Sequence, residues 1–297
     1  MSNANFLERI QAGEILISDG ATGTNLQARG LPIGQPSDVW VLENPQEVIR
    51  LHRDFIAAGS NIILTNTFGG SRTNLSKRGL TDKVAEMNRR AVELARIAAE
   101  GTQTLVAGSM GPLGEMLQPF GTLEESDAQA SYAEQAQTLT EAGVDLLVIE
   151  TQFDLNEAAA AVRGARSASS LPLVVSFSFD RGKRSMMGVK PSQVAEQFAD
   201  MQVNALGINC GKSLEDNFSA LKELRAATQL PIWFKPNAGM PHSTADGSTY
   251  FDFTPDQMAE HAVDWIAAGA QIIGGCCGTS PEHLGAVARA VRKNQGD

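Results

Sequence analysis

No stretch of this sequence approaches the roughly 20 consecutive apolar residues that cross a bilayer, so a membrane-spanning helix is excluded. Dense runs of Lys or Arg are also missing, and the formal net charge is -10. That balance argues against nucleic acid or an anionic membrane surface as the main partner, and leaves small molecules or other proteins. Residues 1–13 mix Asn5, Glu8 and Arg9 with apolar residues and hold no continuous apolar core. They read as neither a signal peptide nor an anchor. Cysteine is scarce. Three in 297 residues, two of them adjacent, make a poor disulfide framework, and free thiols persist in the cytosol, so the reading is a soluble cytoplasmic protein. The four histidines, His52, His242, His261 and His283, show no HxH or HExxH spacing and are assigned no metal role. No Pro/Gly/Ser-rich linker or charge block divides the chain, so residues 1–297 are read as one domain.

What is present is a recurring unit: a helical stretch ends in Ala-Gly, one or two residues follow, and a short apolar strand begins. AAGSNIILT around Gly59, EAGVDLLVIE around Gly143 and AAGAQIIGG around Gly269 show it plainly. Each glycine suits the left-handed residue that stops a helix. The rhythm predicts eight strands, at 14–18, 62–65, 105–109, 145–150, 173–179, 205–209, 232–235 and 271–274. Helical patterns lie between them, at 45–58, 82–100, 126–142, 156–169, 192–201, 214–228, 255–268 and 281–293. Asn44, Thr254 and Ser280 each precede a proline as start signals. Strands apolar at consecutive positions belong to a parallel sheet covered on both faces. Eight of them alternating with helices fit a (β/α)8 barrel of the α/β class, with an open doubly wound sheet as the alternative. Three long connections, 19–44, 110–125 and 236–253, all leave C-terminal strand ends, the face on which barrels build active sites.

Polar and reactive side chains collect at the same ends: Asp19, Thr65, Asn66, Ser109, Glu150, Ser178, Asn209, Cys210, Lys235, Cys276 and Cys277. Barrel closure brings Cys210, after the sixth strand, toward the pair after the eighth. Zinc favours thiolate ligands, and three protein ligands with one open position is a catalytic pattern. Adjacent strand residues point to opposite faces, so Cys276 and Cys277 share an ion only if the backbone turns, which Gly274, Gly275 and Gly278 permit. The competing reading makes the three cysteines small buried hydrophobes. DGATGT at 19–24 lacks GxGxxG spacing and a short helix-opening turn, so it is not a dinucleotide fingerprint; it is either an anion-binding turn or an ordinary one. Glu150 should face the barrel mouth, where its carboxylate meets either a substrate amino group or a neighbouring barrel cation. Lys235 is either ion-paired or a Schiff-base nucleophile with a lowered pKa.

DGATGT, LTNTFGGSRTNL, GSMGPLGE, VIET, FSFD, ALGINC, KPNAG and GGCCGTSPEH run along nearly the whole chain. Together they resemble the homocysteine S-methyltransferase family, which includes the homocysteine-binding module of cobalamin-dependent methionine synthase and a betaine-using branch. The resemblance implies a TIM barrel with zinc on Cys210, Cys276 and Cys277, and homocysteine contacts at Asp19, Gly20, Thr65 and Glu150. The implied chemistry is consistent with the residues. A free thiol is a poor nucleophile at pH 7, and coordination to a metal removes its proton. Three cysteine thiolates already neutralise the ion, so a fourth sulfur keeps much of its electron density and attacks a methyl group, giving methionine.

The betaine branch resembles an aromatic cage at two places where this sequence has Gly69 and Thr151, so cation-π support for a trimethylammonium is missing. NTFGG is closer to the methionine synthase module, and 297 residues leave no room for folate and corrinoid domains. A separate corrinoid protein is therefore the expected methyl donor, with S-methylmethionine, betaine or another small donor as the alternative. Two readings of other classes stand beside this one: a metal-free lyase or aldolase using Lys235, and a non-catalytic thiol-binding module of a multi-protein methyltransferase.

Overall fold

A computed structural model of the chain describes residues 5–244 and 249–295. Residues 1–4 of the N-terminal stretch, 245–248 of the 236–253 connection and 296–297 lie outside the described residues. Eight strands run parallel: β1 (Leu16–Ile17), β2 (Ile62–Leu64), β3 (Leu105–Met110), β4 (Leu146–Gln152), β5 (Leu173–Phe177), β6 (Ala205–Cys210), β7 (Ile232–Pro236) and, after an excursion, β10 (Ile272–Ile273). They pair in the order β1-β10-β7-β6-β5-β4-β3-β2, and a parallel bridge from Ser18 to Ile62 joins the two ends. Asn61 reinforces that closure, its backbone N–H donating to the Ile17 carbonyl at 2.6 Å and its side chain accepting from the Ile17 N–H at 2.8 Å. The architecture is a (β/α)8 TIM barrel, and the bridge that closes the sheet excludes the open doubly wound alternative.

Two apolar layers hold it. Alternate strand residues, among them Leu16, Ile62, Leu105, Leu146, Val148, Val174, Ala205, Trp233 and Ile272, point inward and pack together. Phe6 and Ile10 of a short helix, Phe6–Gln11, plug the bottom of this interior. The intervening residues point outward against the helices in a second, larger cluster. In the helix Pro45–Ala58, for example, Val48, Ile49, Leu51, His52 and Phe55 are buried at helical spacing. The three Ala-Gly stops behave as expected: Gly59, Gly143 and Gly269 have φ of 108°, 94° and 98°.

The strand-end connections are more structured than the sequence suggests. DGATGT does open a helix, Thr22–Ala28, contrary to the reading that no helix-opening turn follows it. Its Gly and Thr residues are weak helix formers, but tertiary contacts override propensity. Leu26 is fully buried, and Asn25 Nδ2 donates to the Ala21 and Thr279 carbonyls at 2.6 and 3.0 Å. In 236–253 an antiparallel hairpin forms from β8 (Pro241–Ser243) and β9 (Thr249–Phe251). No helix among the described residues is long and apolar enough to cross a membrane.

Candidate functional site

A cavity of about 320 Å³ opens at the C-terminal ends of the strands. Of the residues the sequence points to, Gly20, Thr65, Asn66, Ser109, Glu150, Cys210, Lys235, Cys276 and Cys277 line it. Asp19, Ser178 and Asn209 do not, and stand in the supporting layer instead.

The three sulfurs converge, all lying within 4.8 Å of one another, with 2.8 Å between Cys210 and Cys276. How they meet is a matter of backbone. In β6 the inward residues are Ala205, Gly207 and Asn209, so a regular strand would turn Cys210 outward. Instead Cys210 has a left-handed φ of 58°, which swings its thiol back to the mouth. On the other side β10 has ended by Ile273, and the chain turns through the cysteine pair, with the Thr279 N–H donating to the Cys276 carbonyl at 3.1 Å and Gly278 at φ 77°. Asn237 straps the two segments together, accepting from the Cys277 N–H at 2.9 Å and donating to the Gly211 carbonyl at 2.7 Å.

Three half-buried thiols this close share their ionisation. Hydrogen bonds from Cys210 and Cys276 lower the pKa of Cys277 to about 4 despite burial, and hydrogen bonds to Cys276 and then Cys277 raise that of Cys210. One thiolate stabilised by two thiols is what such a cluster holds alone; a cation among them lets the remaining protons leave. Half-buried, sulfur-only and open to a cavity on one side, the group suits a metal with a free position.

Glu150 lines the same cavity. Ser109 Oγ donates to its Oε1 at 2.5 Å, and burial raises its pKa to about 7, with Lys235 pulling the other way. Thr65 is held by a relay in which Thr67 Oγ1 donates to the Ser109 carbonyl at 2.7 Å, Thr65 Oγ1 lies 2.7 Å from Thr67 Oγ1, and the Ser109 N–H donates to Thr65 at 3.1 Å. Gly20 is a close approach rather than a spare turn residue: a Cβ there would stand 2.4 Å from the Thr279 carbonyl oxygen and 2.8 Å from the Phe55 ring.

Lys235 is ion-paired. Its Nζ lies 2.6 Å from Asp19 Oδ1 and 5.7 Å above the centre of the Trp233 ring. Burial works against the ammonium, but Asp19 and Glu150 outweigh it and raise the pKa. A Schiff-base lysine needs the opposite shift, so the lyase reading loses its nucleophile.

Sequence reasoning passed over Asn209 and Thr151 as a pair. Thr151, the residue after Glu150, has φ 60° at an irregularity in the β4–β5 register. Asn209 Oδ1 accepts from the Thr151 N–H at 2.9 Å and from Ser176 Oγ at 2.6 Å, while its Nδ2 donates to Thr151 Oγ1 at 2.7 Å. The Asn in ALGINC was the available signal. Also unforeseen was the ion pair of Arg78 with Asp38, at 2.7 and 2.8 Å, which packs against Gly69 and steadies the segment after β2.

Known proteins with this combination can be compared directly. The chain is 31% identical over 302 residues to a methionine synthase of Mycobacterium leprae and 30% identical over 297 residues to one of Mycobacterium tuberculosis. Those alignments take in 95% and 93% of this chain, and it spans about a quarter of each relative, 25% and 24%. The crystal structure of the metallated form of the homocysteine methyltransferase MmuM from Escherichia coli superposes with a TM-score of 0.81 at 29% identity, covering 94% of this chain and 97% of that one. The family model for homocysteine S-methyltransferase matches residues 16–291, almost the whole barrel, and the chain belongs to that family.

Proposed function

We propose that this chain is a zinc-dependent methyltransferase that methylates the sulfur of homocysteine to give methionine, with Cys210, Cys276 and Cys277 as the metal ligands. The observation that carries the reading is the convergence of three thiols in a cavity that Glu150 also lines. Zinc, when bound, lowers the pKa of a coordinating thiol so that its sulfur is deprotonated at neutral pH. Gly20, Thr65 and Glu150 are the residues that hold the rest of the acceptor: the ionised Glu150 carboxylate takes the ammonium group, and the cavity walls fix the chain that carries the sulfur. A cytoplasmic setting keeps the three thiols reduced.

The methyl donor in this reading is a methyl-corrinoid carried by a separate protein. Exposed apolar side chains ring the mouth and support a protein partner: Ile33, Phe68, Phe120, Met186 and Tyr250, on five different strand-end segments, are 43 to 72% exposed. A betaine cage finds little support. A side chain at Gly69 would meet Asp38 Oδ2 at 2.7 Å, and Phe68 is the one aromatic ring among the lining residues. S-methylmethionine is the alternative donor, since it needs no docking surface.

The test is metal content and thiol titration, followed by turnover. About one zinc per chain, three thiols released on chelation, and methionine formed from homocysteine with a methylcobalamin-loaded protein support the whole reading. Turnover with S-methylmethionine alone moves the donor to the alternative. Metal-free protein that takes up no zinc and freely exposes its thiols overturns the reading, and zinc and thiol binding without product from any donor leaves a binding module.

A further inference from the structure

The resemblance implies that Asp19 contacts homocysteine, but its carboxylate is already taken. Its Oδ1 receives Lys235 Nζ at 2.6 Å and its Oδ2 the Leu64 N–H at 2.7 Å, and the residue is 1% exposed. Lys235, not Asp19, lines the cavity at that wall. An internal ammonium therefore sits where a substrate ammonium would be sought, and two like charges do not share one carboxylate in a buried site. What remains for a substrate cation is Glu150, with one oxygen engaged by Ser109. Meanwhile Lys235 uses one of its three N–H donors on Asp19 and has no second hydrogen-bond acceptor among the described residues. Its floor is the Trp233 ring, which favours the charged form.

We infer that Lys235 is a specificity-determining residue: it binds the carboxylate of the thiol acceptor, making that carboxylate, more than the α-ammonium, the group the site selects. The inference rests on the proposed thiol-methylating reading. It implies that the site accepts a mercapto-carboxylate lacking an amino group and rejects an amino-thiol lacking a carboxylate. Lys235 is not a proton carrier in this scheme; it stays charged and orients the acceptor through a charge-assisted hydrogen bond.

Three thiols separate the possibilities: homocysteine, 4-mercaptobutanoate, which lacks the amino group, and 3-aminopropane-1-thiol, which lacks the carboxylate. Their binding to the zinc-loaded chain is measured by titration calorimetry, without any methyl donor. Removing the amino group should weaken binding by less than about 10-fold, and removing the carboxylate by about 100-fold, the range of a charged hydrogen bond in a site of this kind. Lys235→Gln should erase the preference, with 4-mercaptobutanoate losing about 10- to 100-fold while the amino-thiol gains. Because that variant leaves Asp19 without its cation, Asp19→Asn/Lys235→Gln is measured beside it as a neutral, hydrogen-bonded pair; it should show the same loss of preference. If the amino group proves the stronger determinant, or if the preference survives in both variants, the inference is overturned. If none of the three thiols binds zinc-loaded wild type, the thiol-methylating reading fails instead.

Discussion

Replacing Asn209 by Ala tests whether the strained end of β4 is clamped from β6. The substitution removes three strong hydrogen bonds, from the Thr151 N–H at 2.9 Å, from Ser176 Oγ at 2.6 Å and to Thr151 Oγ1 at 2.7 Å, and a long fourth one from Nδ2 to Cys276 Sγ at 3.9 Å that adds little. At about 1 kcal/mol each the loss is about 3 kcal/mol. For a chain of this size that lowers the melting temperature by roughly 5 °C. A packing role alone makes a similar forecast, so the decisive assay is a double-mutant cycle with Thr151→Gly, read by urea denaturation. Glycine adopts φ 60° without steric cost and offers no hydroxyl, so one of the three bonds and the need for the clamp are already gone. Asn209→Ala should therefore cost less in the glycine background, by at least about 1 kcal/mol. Equal costs in the two backgrounds, or a cost below about 0.5 kcal/mol in wild type, refute the clamp.

The other expectations follow from the same geometry. His52 is fully buried, and burial lowers its pKa from 6.5 to about 4 with Asp19 opposing. The unfolded chain therefore binds the extra proton first, stability falls as pH drops from about 6.5 to about 4, and the loss is about 3 kcal/mol. Glu150, raised to about 7, acts with the opposite sign, its contribution fading as pH rises from 4.5 to about 7. For that reason the His52 slope is read as the difference between wild type and His52→Gln in melts across pH, and a difference that does not vary with pH defeats it. In the proposed reaction Glu150 binds an ammonium only when ionised, so KM for homocysteine should fall as pH rises through about 7. Glu150→Gln should raise KM by less than about 10-fold, flatten that dependence and leave zinc content unchanged. Phe120→Asp on the rim should slow methyl transfer from a protein-borne corrinoid while leaving transfer from free methylcobalamin intact; equal slowing of both argues against a docking surface.

Where periodicity governs, the sequence was readable. Consecutive apolar runs at 62–65, 105–109 and 173–179 became strands buried on both faces, and Ala-Gly stops at Gly59, Gly143 and Gly269 carried the left-handed backbone expected of them. That Cys210, Cys276, Cys277 and Glu150 would gather at one end of the barrel was also legible, because polar residues at the ends of apolar strands have few places to go in a closed barrel. Asp19 was not, since its position relative to the cavity depends on Lys235, 216 residues away in the chain. The helix Thr22–Ala28 was hidden for a similar reason: Asn25 and the Thr279 carbonyl, 254 residues apart, help hold it where local propensity is weak. Lys235 carried both of its readings until the partner was seen, and the 2.6 Å contact with Asp19 decides for the ion pair.

Alternation alone delivers one side chain in two to a barrel mouth, yet β4 and β6 each deliver two in succession, Glu150 with Thr151 and the supporting Asn209 with Cys210. In both strands a left-handed residue reverses the second side chain, and outside glycine such a conformation costs roughly 1 to 2 kcal/mol. At Cys210 this has a measurable consequence in metal-free protein. Cys210→Ala keeps a Cβ and therefore keeps the strain, whereas Cys210→Gly releases it. Ordinarily glycine is the less stable of the two in a strand, by roughly 0.5 to 1 kcal/mol. Here the order should invert, with the glycine variant more stable than the alanine variant by about 1 kcal/mol in urea melts, while both lose zinc. An alanine variant at least as stable as the glycine one means that the backbone at β6 relaxes once the sulfur is gone. The turn that aims Cys210 would then be held by the cluster rather than built into the strand.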